Sequence, residues 1–310
     1  MIGSDFIKHC NTFWFLPRAA DTLALIRFWT GAMLAYIHIV WCLRLDDFMG
    51  EHAFTTKEWV RNLHRSDYTW SYLWFTDSLT FLWAHEVIAI LLSVLMSIGL
   101  FTRVVIPLVW FMTLMVCHRM TGFLFGLDQI AMMVTMYLMI ARSGDVASVD
   151  SMLRSRGSQS TAPVESPLST VNTIATRMIQ IHLCVIYLFG GLGKMRGETW
   201  WDGSAIWLSA VSYEYQSLDL TWIGKMPILM AIAAHITLFW ETFYCCLVWP
   251  KLTRPWILAI AVSVHAGIGI FLGMITFGWM MIIANAAFLE PETSRQWIVT
   301  VKQWIRPSRI

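Results

Sequence analysis

The chain has 310 residues, 57 % of them hydrophobic and only 14 % charged, with a mean hydropathy of +0.59. Soluble chains carry about a quarter charged residues, so this composition excludes an ordinary soluble domain. The formal net charge is only +2, and there is no Lys/Arg-rich tract or glycine-rich phosphate loop, so nothing points to a nucleic-acid partner.

A helix needs ~20 apolar residues to cross ~30 Å of hydrocarbon, and by that ruler the chain reads as an all-α, polytopic membrane bundle of about eight spans. It forms a single transmembrane domain over residues 1–310, with no separate soluble domain. Residues 1–21 hold Asp5, Lys8, Pro17 and Arg18 and no cleavable apolar core, so the first span is expected to be retained. That span covers 22–43 and carries Arg27. The polar stretch 44–80 mixes Asp46, Asp47, Glu51, Lys57, Arg61 and Arg65 with tryptophans, as short helices lying on a membrane surface do. Spans two and three, 81–101 and 104–118, join at a turn over 99–103. Span four covers 123–141, with Asp128 in its first turns. The Ser-, Thr- and Pro-rich segment 142–174 reads as a flexible cytoplasmic linker.

Span five covers 175–193. Trp200, Trp201, Trp207 and Trp222 follow in the polar 194–225 stretch, as interfacial tryptophans do. Span six covers 226–249. Spans seven and eight, 256–272 and 273–289, run almost without a break, so Gly273 or Gly278 marks the turn. With the N-terminus in the cytoplasm, the inner segments carry more Lys and Arg than the outer ones, and both termini end in the cytoplasm.

Charged groups inside a membrane are costly and face protein or water-filled cavities. Those singled out are Arg27, Asp128, Arg177, His182, Lys194, His235, Glu241 and His265, with the amide Asn285. Lys194 ends span five on the outer side, and Asp128 begins span four on that side. His235 and His265 fall nearer mid-membrane. Arg27, Arg177 and Glu241 lie deeper, where an arginine is expected to pair with Glu241. An amine at the depth of Lys194 either snorkels to the interface or gives up its proton. In the second case it is a base beside a greasy pocket, suited to a lipid-soluble substrate. Gly190, Gly191 and Gly193 fit close helix packing. The six cysteines show no metal spacing and read as buried thiols; Cys42 and Cys117 fall near the same membrane face. No metal is expected, because His182, His235 and His265 lie on three different spans.

Five patterns resemble the integral-membrane region of vitamin K-dependent γ-carboxylases and their bacterial relatives, the horizontally transferred transmembrane (HTTM) domain family. They are TLALIRFWTGAML at 22–34, GLFTRVVIPLVWF at 99–111, ASVDSML at 147–153, IYLFGGLGKMRGETWWDG at 186–203, and VHAGIGIFLGMITFGWMMIIANAAFL at 264–289. The fourth is similar to a Tyr–Gly–Lys–Trp–Gly core signature, with about one extra residue before the tryptophan. The resemblance implies a bacterial inner-membrane protein whose site faces the extracytoplasmic side. It implies oxygen-dependent epoxidation of a reduced naphthoquinone (vitamin K hydroquinone), with O2 and CO2 consumed if a secreted or membrane peptide's glutamate is carboxylated. It makes Lys194 the general base, with Asp128 and His265 as further catalytic groups. Tyr187, Gly191, Trp200, Trp201 and His235 become the residues that bind the quinone-like molecule. Asp128 stands where the animal enzymes have a histidine. A non-catalytic membrane module for maturation, export or immunity, with Lys194 as an anchor, is the other reading.

Overall fold

The computed structural model describes residues 2–65, 68–156, 166–215 and 217–305; Arg306 and Arg309 of the basic tail and the middle of 142–174 lie outside them. Among the described residues all regular structure is helical, apart from one isolated antiparallel bridge between Arg18 and Ser169. In chain order the helices are α1 (Ile2–Phe15), α2 (Asp21–Cys42), α3 (Leu45–Met49), α4 (Lys57–Leu63), α5 (Leu79–Ile98), α6 (Thr102–Arg119), α7 (Gly126–Ile140), α8 (Val149–Arg156), α9 (Thr170–Lys194), α10 (Glu198–Trp201), α11 (Ala205–Val211), α12 (Pro227–Leu247), α13 (Arg254–Phe271), α14 (Ile275–Asn285) and α15 (Pro291–Ile305).

Six of them, α2, α5, α6, α9, α12 and α13, are long and apolar enough to cross a membrane. Two of the eight expected spans are shorter apolar helices, Gly126–Ile140 and Ile275–Phe288. At 1.5 Å per residue, helices of this length reach only about 20 Å, short of a full ~30 Å crossing. The 142–174 segment is not all linker: α8 lies within it, and α9 begins at Thr170, five residues before the expected start. The expected junction between spans seven and eight is Gly273, whose φ of +71° suits a residue without a Cβ.

The chain divides into two compact units, Met1–Arg177 with Leu289–Ile310, and Met178–Phe288. In the first, α2 and α5 approach closely because small residues line the contact. A Cβ on Gly31 would stand 2.6 Å from the Ser97 amide nitrogen, and Ser97 Oγ donates to the Phe28 carbonyl at 2.8 Å.

Beside this contact three of the sequence patterns meet. Arg27, fully buried, donates through Nη1 to the Met96 and Ser97 carbonyls (2.6 and 2.7 Å) and through Nη2 to the Ala147 carbonyl (2.9 Å). Two of these carbonyls belong to the last turn of α5, and that of Met96 also accepts from the Gly99 amide at 3.1 Å. Asp150 of α8 accepts from the Phe101 and Thr102 amides, at 2.8 and 2.9 Å, and so caps the start of α6. Gly99 turns between the helices at φ +76°, and a Cβ there would strike the Arg27 guanidinium. Arg27 is therefore committed to backbone carbonyls. Arg177 donates to the Phe13 carbonyl at 3.1 Å and lies over the Phe13 ring. The expected arginine pairing of Glu241 is not the one that forms; Glu241 pairs with Lys194, as described below.

At the end of this unit covered by residues 44–80, Leu45, Met49, Leu73, Leu82, Met115, Val116 and Met120 form one buried apolar cluster. Helix α15 returns to α2 through Arg295 Nε on Asp21 (3.2 Å) and Thr22 Oγ1 with Ser294 Oγ (2.9 Å). All six cysteines are free thiols, Cys42 and Cys117 included.

Candidate functional site

The second unit gathers the polar residues of the GGLGK segment. On α9, Tyr187, Gly190, Gly191 and Lys194 recur at three- and four-residue intervals and so share one face. That face lies against α12, where Trp240, Glu241 and Tyr244 project. The approach is close: a Cβ on Gly191 would sit 2.7 Å from the Thr242 amide nitrogen and 2.9 Å from its Cα. Only glycine lets the two backbones come so near, which is the physical reason for the glycine pair.

At the end of this face, Lys194 Nζ donates to Glu241 Oε2 at 2.6 Å. The side chains are 28 % and 11 % exposed, so the carboxylate is the more enclosed partner. The Trp200 ring lies 5.3 Å from the ammonium, in cation–π range. A Cβ on Gly190 would stand 3.3 Å from Glu241 Oε2, and Gly193 has open space where a Cβ would be. The pair is thus bordered by two positions without side-chain bulk.

One to two turns deeper, a buried chain of hydrogen bonds joins α9, α12, α13 and α14. The amide nitrogen of Asn285 donates to the Met281 carbonyl at 2.9 Å, which fixes the amide's orientation, because a carbonyl can only accept. The same nitrogen's second proton goes to Tyr187 Oη at 2.7 Å, and Tyr244 donates to Asn285 Oδ1 at 2.6 Å. Tyr187 Oη accepts from Asn285, and the acceptor within reach of its own buried proton is His265 Nε2, at 2.7 Å. The imidazole hydrogen of a neutral His265 is therefore on Nδ1, and that nitrogen is buried without a partner among the described residues. The four groups form one directed run, Tyr244 to Asn285 to Tyr187 to His265, ending on an unspent donor. Trp240 and Phe277 enclose the imidazole, with ring centroids at 6.3 and 6.0 Å. Tyr187 stacks between Trp240 and Tyr244, at 4.9 and 4.2 Å. Lys194 and Glu241 lie near enough to act electrostatically on His265 and Tyr187, respectively.

The remaining expected residues are placed as follows. Trp201 donates its indole N–H to the Met195 carbonyl at 2.7 Å and meets Phe239 edge-on. His235 bonds back to the Ala231 carbonyl at 2.7 Å and lines an apolar groove of about 500 Å³ with Ile228, Ile232, Ile236 and Phe239. Asp128 belongs to the first unit, where its carboxylate accepts from the Phe125 amide at 3.1 Å and closes the first turn of α7. No group of three or more His, Cys, Asp or Glu suited to a metal occurs among the described residues.

Glu241 and Asn285 were visible as intramembrane polar residues, but their partners were not. Tyr244 gave one signal, its position three residues after Glu241 on the same helical face.

Comparison with family models, with curated proteins and with solved structures finds no match.

Proposed function

We propose that this is a membrane enzyme in which Lys194 acts as general base on a lipid-soluble substrate bearing an acidic hydroxyl. The reading joins the resemblance to the vitamin K-dependent carboxylases with the geometry of the second unit. One observation carries it: the Lys194–Glu241 pair and the Tyr187–His265 run share one face of α9, with an unspent imidazole N–H beside them.

The pairing with Glu241 changes how such a base would work. In water the pair is ammonium and carboxylate. Two separated charges lose their hydration when a greasy substrate displaces solvent. The proton then has a second place to rest, on Glu241, leaving a neutral amine against a carboxylic acid with no net proton lost. The amine takes the proton of the substrate hydroxyl and becomes ammonium beside the resulting oxyanion, while Glu241 stays neutral. The His265 Nδ1–H is a donor suited to a second oxygen of the substrate. For a reduced naphthoquinone, the anion adds O2 and passes through an alkoxide to the epoxide. The alkoxide takes a γ-proton where a peptide glutamate is present, CO2 adds to that carbon, and water leaves.

The excess of lysine and arginine on the expected inner segments supports cytoplasmic termini, and with the family resemblance it favours Lys194 on the extracytoplasmic side of a bacterial inner membrane. The second reading, a non-catalytic module with a maturation or export partner, is favoured by the Trp200 ring over Lys194, as at a helix-end anchor. The test supplies purified protein in lipid with reduced naphthoquinone, oxygen and bicarbonate, and follows epoxide and peptide products by mass spectrometry. Wild type should form epoxide, Lys194→Ala should not, and Glu241→Gln should be slow. Equal epoxide from wild type and Lys194→Ala removes the base assignment; none from well-folded wild type favours the anchor.

A further inference from the structure

The first unit holds a polar centre that the reading above does not use. His38 of α2 and Glu86 of α5 are both fully buried, with Nδ1 and Oε2 2.7 Å apart. On its other side, His38 Nε2 lies 3.0 Å from Thr113 Oγ1 of α6. The Thr113 hydroxyl has a single proton and gives it to the Val109 carbonyl at 2.8 Å. Nε2 must therefore be the donor to Thr113. That leaves one proton between Nδ1 and Oε2, on the imidazole or on the carboxyl, and the dyad is neutral either way.

The dyad lies near the face that the 44–80 segment covers. His38, Glu86 and Thr113 lie four to seven residues from the helix ends that meet the 44–80 segment, about 6–10 Å inside at 1.5 Å per residue. The neighbouring His85 Nδ1 bonds to the hydroxyl of Tyr72 at 2.6 Å, and Tyr72 is a half-buried residue of that segment. The other titratable groups that act on the centre are Cys42 on α2 and Asp128 on α7, with Cys117 on α6 beside Asp128. Glu86 Oε1 is buried and has no partner among the described residues. A carboxylate kept only as a structural clamp is expected to have both oxygens satisfied. Ionisable residues inside a membrane commonly mark proton relays.

We propose that His38 and Glu86 form a buried proton-exchange site. Protons reach it from the 44–80 face past Tyr72 and His85, and Glu86 Oε1 is the atom that receives them. Uptake at Oε1 leaves imidazolium beside a carboxylic acid, and release returns the neutral dyad and one proton to water. The site is independent of Lys194.

Infrared difference spectra of the full-length protein in lipid, labelled with ¹³C-glutamate and taken over a range from acidic to mildly alkaline buffer, test this. A carboxylic C=O band should change amplitude over that range and shift in D2O. It should vanish in Glu86→Gln, move in frequency in Glu86→Asp and Thr113→Val, and persist in Lys194→Ala. A wild-type spectrum unchanged over the range overturns the proposal, and so does a titrating band left unaltered by both Glu86 variants. The wild-type measurement stands even if a Glu86 variant fails to fold.

Discussion

Replacing Lys194 by Met and replacing Glu241 by Gln should not cost the same. Lys194→Met strands a carboxylate that is 11 % exposed, whereas Glu241→Gln strands an amine that is 28 % exposed and keeps its Trp200 ring. Breaking a fully buried pair costs about 3–5 kcal/mol, and an exposed pair is worth about 0.2–1 kcal/mol. The carboxylate side falls near the first range, so Lys194→Met should cost about 3 kcal/mol at neutral pH. The amine can snorkel on its four-carbon stem, so Glu241→Gln should cost about 1 kcal/mol. The double variant leaves no stranded charge and should recover about 2 kcal/mol relative to the sum of the singles. The assay is equilibrium unfolding of the purified protein in mixed micelles, on wild type, both singles and the double. Equal costs for the two singles, or a coupling under about 0.5 kcal/mol, would refute the claim that the enclosed carboxylate dominates the pair.

Gly191→Leu should separate α9 from α12, because even a Cβ at 191 falls about 0.7 Å short of the 3.4 Å at which ordinary contact with the Thr242 nitrogen begins. A loss of about 1–3 kcal/mol is expected, with Gly193→Ala nearly neutral as the control. Asn285→Leu leaves the Tyr187 and Tyr244 hydroxyls each short of a partner and should lower stability by about 2–4 kcal/mol in thermal unfolding, with less cost in Asn285→Leu/Tyr244→Phe. Burial pushes the Asp150 carboxyl up, but the Thr102 and Phe101 amides, the Thr102 hydroxyl and the Arg154 charge together hold it below the usual range. Its folded value lies under its unfolded one, so its contribution is complete above about pH 4 and fades as pH falls through the lower folded value. Asp150→Asn should cost about 1 kcal/mol at neutral pH and show a flatter acid limb, read from unfolding midpoints against pH.

By itself the sequence determined where the long apolar helices form. Uninterrupted apolar runs bounded by Gly, Pro and charge leave a backbone without water no option but to bond within its own helix. It also marked Lys194, His265 and Asn285 as residues of consequence, since a polar group within such a run is costly enough to stand out, whereas Tyr187 entered through the family resemblance alone. What tertiary structure decided was partnership. Glu241 meets Lys194 rather than an arginine because Gly191 lets α12 come close at that level, while carbonyls at the end of α5 take up Arg27. His38, His85 and Glu86 escaped notice for a related reason. Each sits singly in an apolar helix, and only the packing of α2, α5 and α6 turns them into a cluster. Helix position follows from short-range periodicity, but hydrogen-bond partners distant in the chain depend on interhelical registers that side-chain volumes set collectively.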